Sequence, residues 1–268
     1  MKSKNSVLGA SFAALVWASS PAFADGGCAG LPGHGKLKKA LNDAVAAETS
    51  GLNHHMWATI VNRNGVVCAV AFSGTERDSQ WPGSRVISAQ KANTANAFSL
   101  DNGSFSAGSG QAAGLALSTA NLFSAVQPGG SLYGLQHSNP VDTAAAYKGA
   151  AAQYGTVDDP LVGDKPGGVN VFGGGLALYN TQKQVVGAVG VSGDTSCADH
   201  FIAWRVRDNL GLDNLFGIGG VSGDPARPDN IIHDITPNPD GGTGNSLGGF
   251  GHPPCINPGR ENQLPAVQ

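Results

Sequence analysis

The chain has 268 residues, of which 41% are hydrophobic and 13% charged, and its formal net charge is −3. Forty glycines and fifteen prolines make it loop-rich, yet the low charge and ample apolar content exclude a wholly disordered chain. The mildly acidic balance leaves no electrostatic footprint for nucleic acid or an anionic lipid surface. No apolar run beyond the N-terminus is long enough to span a bilayer.

Residues 1–24 read as a secretory signal peptide. Lys2 and Lys4 precede the apolar stretch Val7–Trp17, and Ala22-Phe23-Ala24 fits a small-x-small cleavage site. Cleavage after Ala24 would leave 244 residues with a charge of −5, because the leader carries two lysines and no acid. A secreted or periplasmic protein meets an oxidising compartment, so the even set Cys28, Cys68, Cys197 and Cys255 predicts two disulfides. No C-x-x-C spacing occurs, which argues against a zinc knuckle or a thioredoxin-type pair. Three pairings are open. Closing a long loop between the flexible ends favours Cys28–Cys255 with Cys68–Cys197.

Residues 36–49 predict an amphipathic helix with Leu37, Ala40, Leu41, Ala44, Val45 and Glu48 on one face, all but the last apolar, and Gly51 beyond its end. The runs Trp57–Val61 and Val66–Phe72, joined through Asn64-Gly65, predict an antiparallel hairpin. Residues 88–98 read as a second helix with a small-residue face. Residues 99–167, rich in Ala, Gly and Ser, read as an ordered insertion with short helices near 111–125 and 142–152. Strands follow at Val169–Phe172, Leu176–Tyr179 and Val185–Val191. The last is apolar on both faces, as in a central, doubly covered strand. A final helix is predicted over about Ala198–Leu210. Residues 211–268 hold 12 Gly and 8 Pro. They predict an irregular tail that wraps the domain or a neighbouring subunit. The organisation is a leader (1–24), one domain (25–211) carrying the insertion, and the tail (212–268). Hairpins alternating with helices predict an α+β class.

Four motifs in this order carry a resemblance. They are Val61-Asn62-Arg63-Asn64-Gly65, Lys91-Ala92-Asn93-Thr94-Ala95, Gly173-Gly174-Gly175, and Val186-Gly187-Ala188-Val189-Gly190-Val191-Ser192-Gly193. They resemble the GlcG/HbpS family of haem-binding-type proteins, which includes the C-terminal domain of PduO. Asn62 and Asn64 stand where the family usually has Asp and Gly, and Leu176-Ala177 lacks the family's Pro. The resemblance implies a profilin-like α/β/α sandwich around a five-stranded antiparallel sheet, assembly into homo-oligomers, and haem or iron binding in exported relatives.

Haem needs an apolar slot, a donor for its propionates and an axial ligand. His200, beside the Ser192-Gly193 turn where the motifs converge, is the expected axial ligand and metal-binding residue. Lys91 is the expected partner of a carboxylate, Thr94 a hydrogen-bonding group, and Gly173, Gly174 and Gly175 a backbone cradle for a planar ligand or anion. Ser192 completes the expected ligand set. His54 and His55 read as a solvated loop, and His137, His233 and His252 as surface. A hydrolase triad of Ser192, Asp199 and His200 is disfavoured. The run Gly190-Val191-Ser192-Gly193-Asp194 is not G-x-S-x-G, lacking the glycine two places after the serine, and adjacent helical side chains diverge by about 100°. The sequence thus predicts an exported binder of haem or a related small molecule rather than an enzyme. The alternatives are an enzyme for a small organic acid or cofactor using Lys91 and Asp199, and an oligomeric interaction module.

Overall fold

The structure, a computed structural model, describes residues 27–102, 114–242 and 244–268. The expected leader at 1–24 lies outside the described residues, as does 103–113 of the insertion.

Helix α1 (His34–Ala47) buries Leu37, Ala40, Leu41 and Ala44, the face its three- and four-residue spacing predicts. Strands β1 (Trp57–Asn62) and β2 (Val67–Phe72) form the expected hairpin. The Asn62 side-chain oxygen accepts the N–H groups of Asn64 and Val66 at 2.9 and 3.0 Å, and Gly65 takes φ +78°. Asn62 thereby closes the turn through the local side-chain bond that Asx residues supply. Helix α2 (Ser84–Phe98) begins four residues before the expected start at Ser88. A single-turn helix α3 (Thr143–Ala146) is capped by Asp142. Strands β3 (Gly175–Tyr179) and β4 (Val185–Ser192) and helix α4 (Ser196–Asn209) complete the domain. A two-residue ribbon, β5 (Ile235–Thr236) and β6 (Asn245–Ser246), decorates the tail.

The main sheet is antiparallel with order β2-β1-β4-β3. Side chains alternate between its faces. Ala58, Ile60, Val189 and Val191 join Leu37, Leu41, Phe201 and Trp204 beneath α1 and α4. Trp57, Val61 and Ala188 join Ala89 and Ala92 of α2 on the other side. The result is the expected α+β, helix–sheet–helix sandwich. Its main sheet has four strands rather than five. The segment 169–172 makes no strand, because it leans on α2 instead: the Asn170 N–H goes to Thr94 Oγ1 at 3.0 Å.

The helices expected near 111–125 and 142–152 shrink, among the described residues, to short 3-10 turns at Ala120–Leu122, Ser124–Val126 and Ala151–Gln153 besides α3. The insertion is nevertheless anchored. The Arg85 guanidinium, 1% exposed, is held by the Asp159 carboxylate and the Ala146 carbonyl and lies 3.7 Å over the Tyr154 ring. Both sheet edges are occupied as well. Insertion backbone at Gly163 and Asp164 bonds to Val67 of β2, and Leu212 of the tail accepts the Tyr179 N–H of β3. Each contact engages one residue at an end of its edge strand.

The disulfides differ from the expected pairing. Cys28 joins Cys68 and Cys197 joins Cys255, with Cα separations of 5.3 and 6.1 Å. Packing decides this rather than loop entropy. The N-terminal segment lies along β2, where Gly27 O and Val70 O meet the Asn62 and His34 side chains. The tail wraps α4, burying Ile218, Ile231, Leu264 and Val267 in the main core.

A Cβ on Gly190 would overlap the Ser88 carbonyl and approach the Ala92 nitrogen at 2.5 Å. Gly190→Ala should therefore lower stability by about 1–3 kcal/mol, as overpacking does. Urea denaturation would read this as a reduced midpoint, and an unchanged midpoint would contradict direct seating of α2 on β4.

Candidate functional site

The expected ligand residues converge on the place where β4 ends and α4 begins. Lys91 of α2 and Asp199 in the first turn of α4 are both fully buried, with Nζ 2.6 Å from Oδ2. Nζ also donates to the Val191 carbonyl at 3.1 Å and lies 3.6 Å from the Phe172 ring centre. The other Asp199 oxygen accepts the Asp194 N–H at 2.9 Å. Loss of water pushes the lysine down to about 8 against the pull of Asp199, and pushes the carboxyl up to about 6 against the pull of Lys91. Around neutral pH both remain charged and neutralise each other. The positive end of the α4 dipole further favours the carboxylate.

The three glycines let a loop press into this junction. Added Cβ atoms would overlap the Ser196 carbonyl at Gly173, the Val191 carbonyl at Gly174 and the Lys91 carbonyl at Gly175. Gly174 also takes φ +115°, a region that a side chain disfavours. Protein hydroxyls take two of the loop's N–H groups: Ser196 Oγ accepts from Gly173 at 2.7 Å and Thr119 Oγ1 from Gly175 at 2.8 Å. Thr94 donates to Gln90 O at 2.8 Å within its helix and accepts from Asn170. Ser192 is 1% exposed at the end of β4, opposite Trp57. Lys91, Gly173, Gly174, Gly175, Ser192 and His200 are thus brought together, with Thr94 one turn from Lys91. What they enclose is solid protein rather than a recess. Five surface cavities among the described residues all have other walls.

His200 is fully buried, sealed beneath the tail. Its Nε2 faces Asn230 Oδ1 at 3.3 Å, so Nε2 carries the proton and Nδ1 is left with a bare lone pair and no partner. Burial depresses it to about 4, keeping the ring neutral. Asp199 and His200 point to different partners, as their adjacency on a helix requires. His252 is not a surface residue: it is 4% exposed, and burial holds it down near 4. The surroundings of His200 and His252, with Asn230 and the ion pair Arg207–Asp229 near the first and Ser196 at the second, depend on residues 22 to 56 positions apart. No local pattern could have signalled them.

An open cleft of about 340 Å3 lies elsewhere, lined by Asn53, His54, His55 and the segment 78–82. The Asp194 carboxylate holds the Leu52 and His54 N–H groups at 2.9–3.0 Å. Buried Gln80 bonds to Gly74, Glu76 and Arg77, fixing the facing loop. His54 Nδ1 donates to the Gly193 carbonyl at 3.3 Å, leaving Nε2 as a lone-pair nitrogen, and its ring meets Trp81 edge-on at 4.8 Å. Trp81 is 48% exposed. His54 and His55 both border the cleft because they precede β1 as irregular chain. Strand alternation, which would send them to opposite faces, does not apply there.

Two outcomes follow from these burials. Lys91→Met should cost about 3–5 kcal/mol by stranding Asp199, as losing one partner of a buried pair does, and Lys91→Met/Asp199→Leu should recover much of it in urea denaturation. Because burial depresses His200 from 6.5 to about 4, the unfolded chain binds protons first on acidification. The stabilisation from keeping this ring neutral is full above about 6.5 and drains towards pH 4, a loss on the order of 3 kcal/mol. His200→Asn should flatten the dependence of the urea midpoint on pH across that window. An unaltered slope would contradict the assignment.

The curated proteins offer no match to this chain. Among solved structures, the Klebsiella pneumoniae protein ORFY, of family DUF336, is 25% identical with a TM-score of 0.41, covering 66% of this chain and 86% of its own. A PduOC:haem complex is 20% identical with a TM-score of 0.42, covering 66% and 90%. A family model described as haem degrading protein HbpS-like matches residues 36–207, well over half of the chain, and the protein therefore belongs to the HbpS-like family.

Proposed function

We propose that this chain is an exported protein that binds haem or a related small ligand, and that the ligand enters the cleft between residues 53–55 and 78–82. The observation that carries this reading is that cleft. It combines an imidazole with a free Nε2, a second exposed imidazole and a half-exposed indole on a scaffold held by Asp194 and Gln80. Of the groups haem calls for, the cleft offers an axial nitrogen and an aromatic wall for the macrocycle, with Asn53 and Ser79 as the neutral polar groups beside them. When bound, haem would supply redox-active iron. The chain's own contribution is to hold His54 in the tautomer whose Nε2 accepts, and to present Trp81. Family membership agrees with the ligand class, and two disulfides agree with an oxidising compartment.

The Lys91–His200 junction fits haem less well, because protein fills it and Lys91 is already neutralised by Asp199. For the same reason, an enzyme using Lys91 and Asp199 as free charged groups has little support. One observation favours a second reading: the bare Nδ1 of His200. It would require the tail over α4 to move.

Haem titration of the mature protein tests both. The expected result is a Soret band that shifts on binding, with affinity falling at least about tenfold (about 1.4 kcal/mol) in His54→Ala or His55→Ala and unchanged in His200→Ala. Loss confined to His200→Ala would move the ligand to the junction. Absence of a band at micromolar haem would remove the haem reading.

A further inference from the structure

We propose that Ser196 and His252 form a nucleophilic serine–imidazole dyad, oriented by a main-chain carbonyl, that hydrolyses small uncharged carboxylic esters. The hydrogen-bond pattern leaves one arrangement of protons. The Pro253 carbonyl can only accept, so His252 Nδ1, 2.7 Å away, carries the ring proton. Nε2 is then a lone-pair nitrogen, 2.7 Å from Ser196 Oγ. Oγ already accepts the Gly173 N–H at 2.7 Å, so its single proton points at Nε2. This is the geometry of a nucleophile, a base and a group that orients the base, with a carbonyl in the place of the carboxylate. Burial holds the ring near 4, so it is unprotonated at neutral pH and a weaker base than a free imidazole.

The surroundings supply the remaining parts. Ser196 is half-buried rather than sealed, and it is the first residue of α4. The N–H groups of Cys197 and Ala198 that follow it lie in the first turn of α4, where they have no acceptor within the helix and can serve an oxyanion. The disulfide Cys197–Cys255 clamps both halves of the dyad, each cysteine lying within three residues of one member. A cavity of about 530 Å3 lies between 124–131 and 244–250, and although Ser196 and His252 are not in its wall, it borders the chain that carries His252. Its wall reaches Ser124, whose Oγ donates to the Gly251 carbonyl at 2.6 Å, and Phe250, two residues before His252. Its lining holds no charged side chain, which selects an uncharged substrate.

In the reaction, Oγ attacks the ester carbonyl carbon while its proton passes to Nε2. The tetrahedral intermediate expels the alcohol, which leaves with that proton, and an acyl-serine remains. Water then attacks the acyl carbon, gives a proton to Nε2, and the carboxylic acid departs as Oγ recovers its proton.

The test uses the full, disulfide-bonded protein with a fluorophosphonate probe, peptide mass spectrometry to locate the adduct, and 4-nitrophenyl acetate as substrate. Ser196 should be phosphonylated in the wild type. Turnover should drop about 100-fold in both Ser196→Ala and His252→Gln, within the range of a lost nucleophile or base. Haem binding should be unchanged in Ser196→Ala, which separates this dyad from the cleft. No adduct on Ser196 in the folded wild type, or undiminished turnover in Ser196→Ala, would overturn the proposal. Labelling of the wild type decides the matter even where His252→Gln does not fold.

Discussion

A lysine sealed from water inside a protein demands a counter-charge, and the architecture is arranged around meeting that demand. Lys91 stands on the helix that covers one face of the sheet, and Asp199 on a helix that covers the other. Their meeting forces the two layers together past the end of β4. Only glycines can occupy the gap: Gly173, Gly174 and Gly175 each lie where a Cβ would strike helix or strand backbone. A buried pair of this kind is weak evidence for stability, since desolvation offsets most of the attraction. Its effect is geometric. One register of α2 against α4 satisfies both charges, and others strand them.

The second organising device is the tail. Helix α4 has its Asp199 side engaged in the domain, and elsewhere it carries polar groups that would be orphaned in an apolar interior. The tail meets them in turn: Asn230 at His200, Asp229 at Arg207, the Pro265 carbonyl at the Trp204 indole and the Arg260 carbonyl at Arg205. A segment too rich in Gly and Pro to form a core of its own thus finishes the core of the domain. The same wrapping hides His200 and creates the Ser196–His252 contact.

Much of the fold was legible in the sequence because local rules and packing agreed. The amphipathic stripe of α1, the Asn-Gly hairpin and the doubly apolar β4 each form where the spacing places them. The strand at 169–172 failed because Thr94 and the glycine loop draw that segment to α2, a choice no local alternation encodes. The disulfides failed because loop entropy says nothing of where packing sets the chain ends. Lys91, the glycines and His200 do lie together where the motifs converge. Small residues there, however, signified close backbone approach rather than a hollow. His252, in Gly- and Pro-rich surroundings, looked like surface, and burial beneath Phe123 and beside Ser196 emerges only in three dimensions.

The dependence of α4 on the tail bears on how the chain comes to be made. Arg207 and His200 cannot be buried comfortably until Asp229 and Asn230 have emerged. Trp204 waits for Pro265. A ribosome feeding the chain out from its N-terminus therefore holds an unfinished domain until residues 229–267 have followed. Removing residues 264–267 would damage the centre of the molecule as much as its rim.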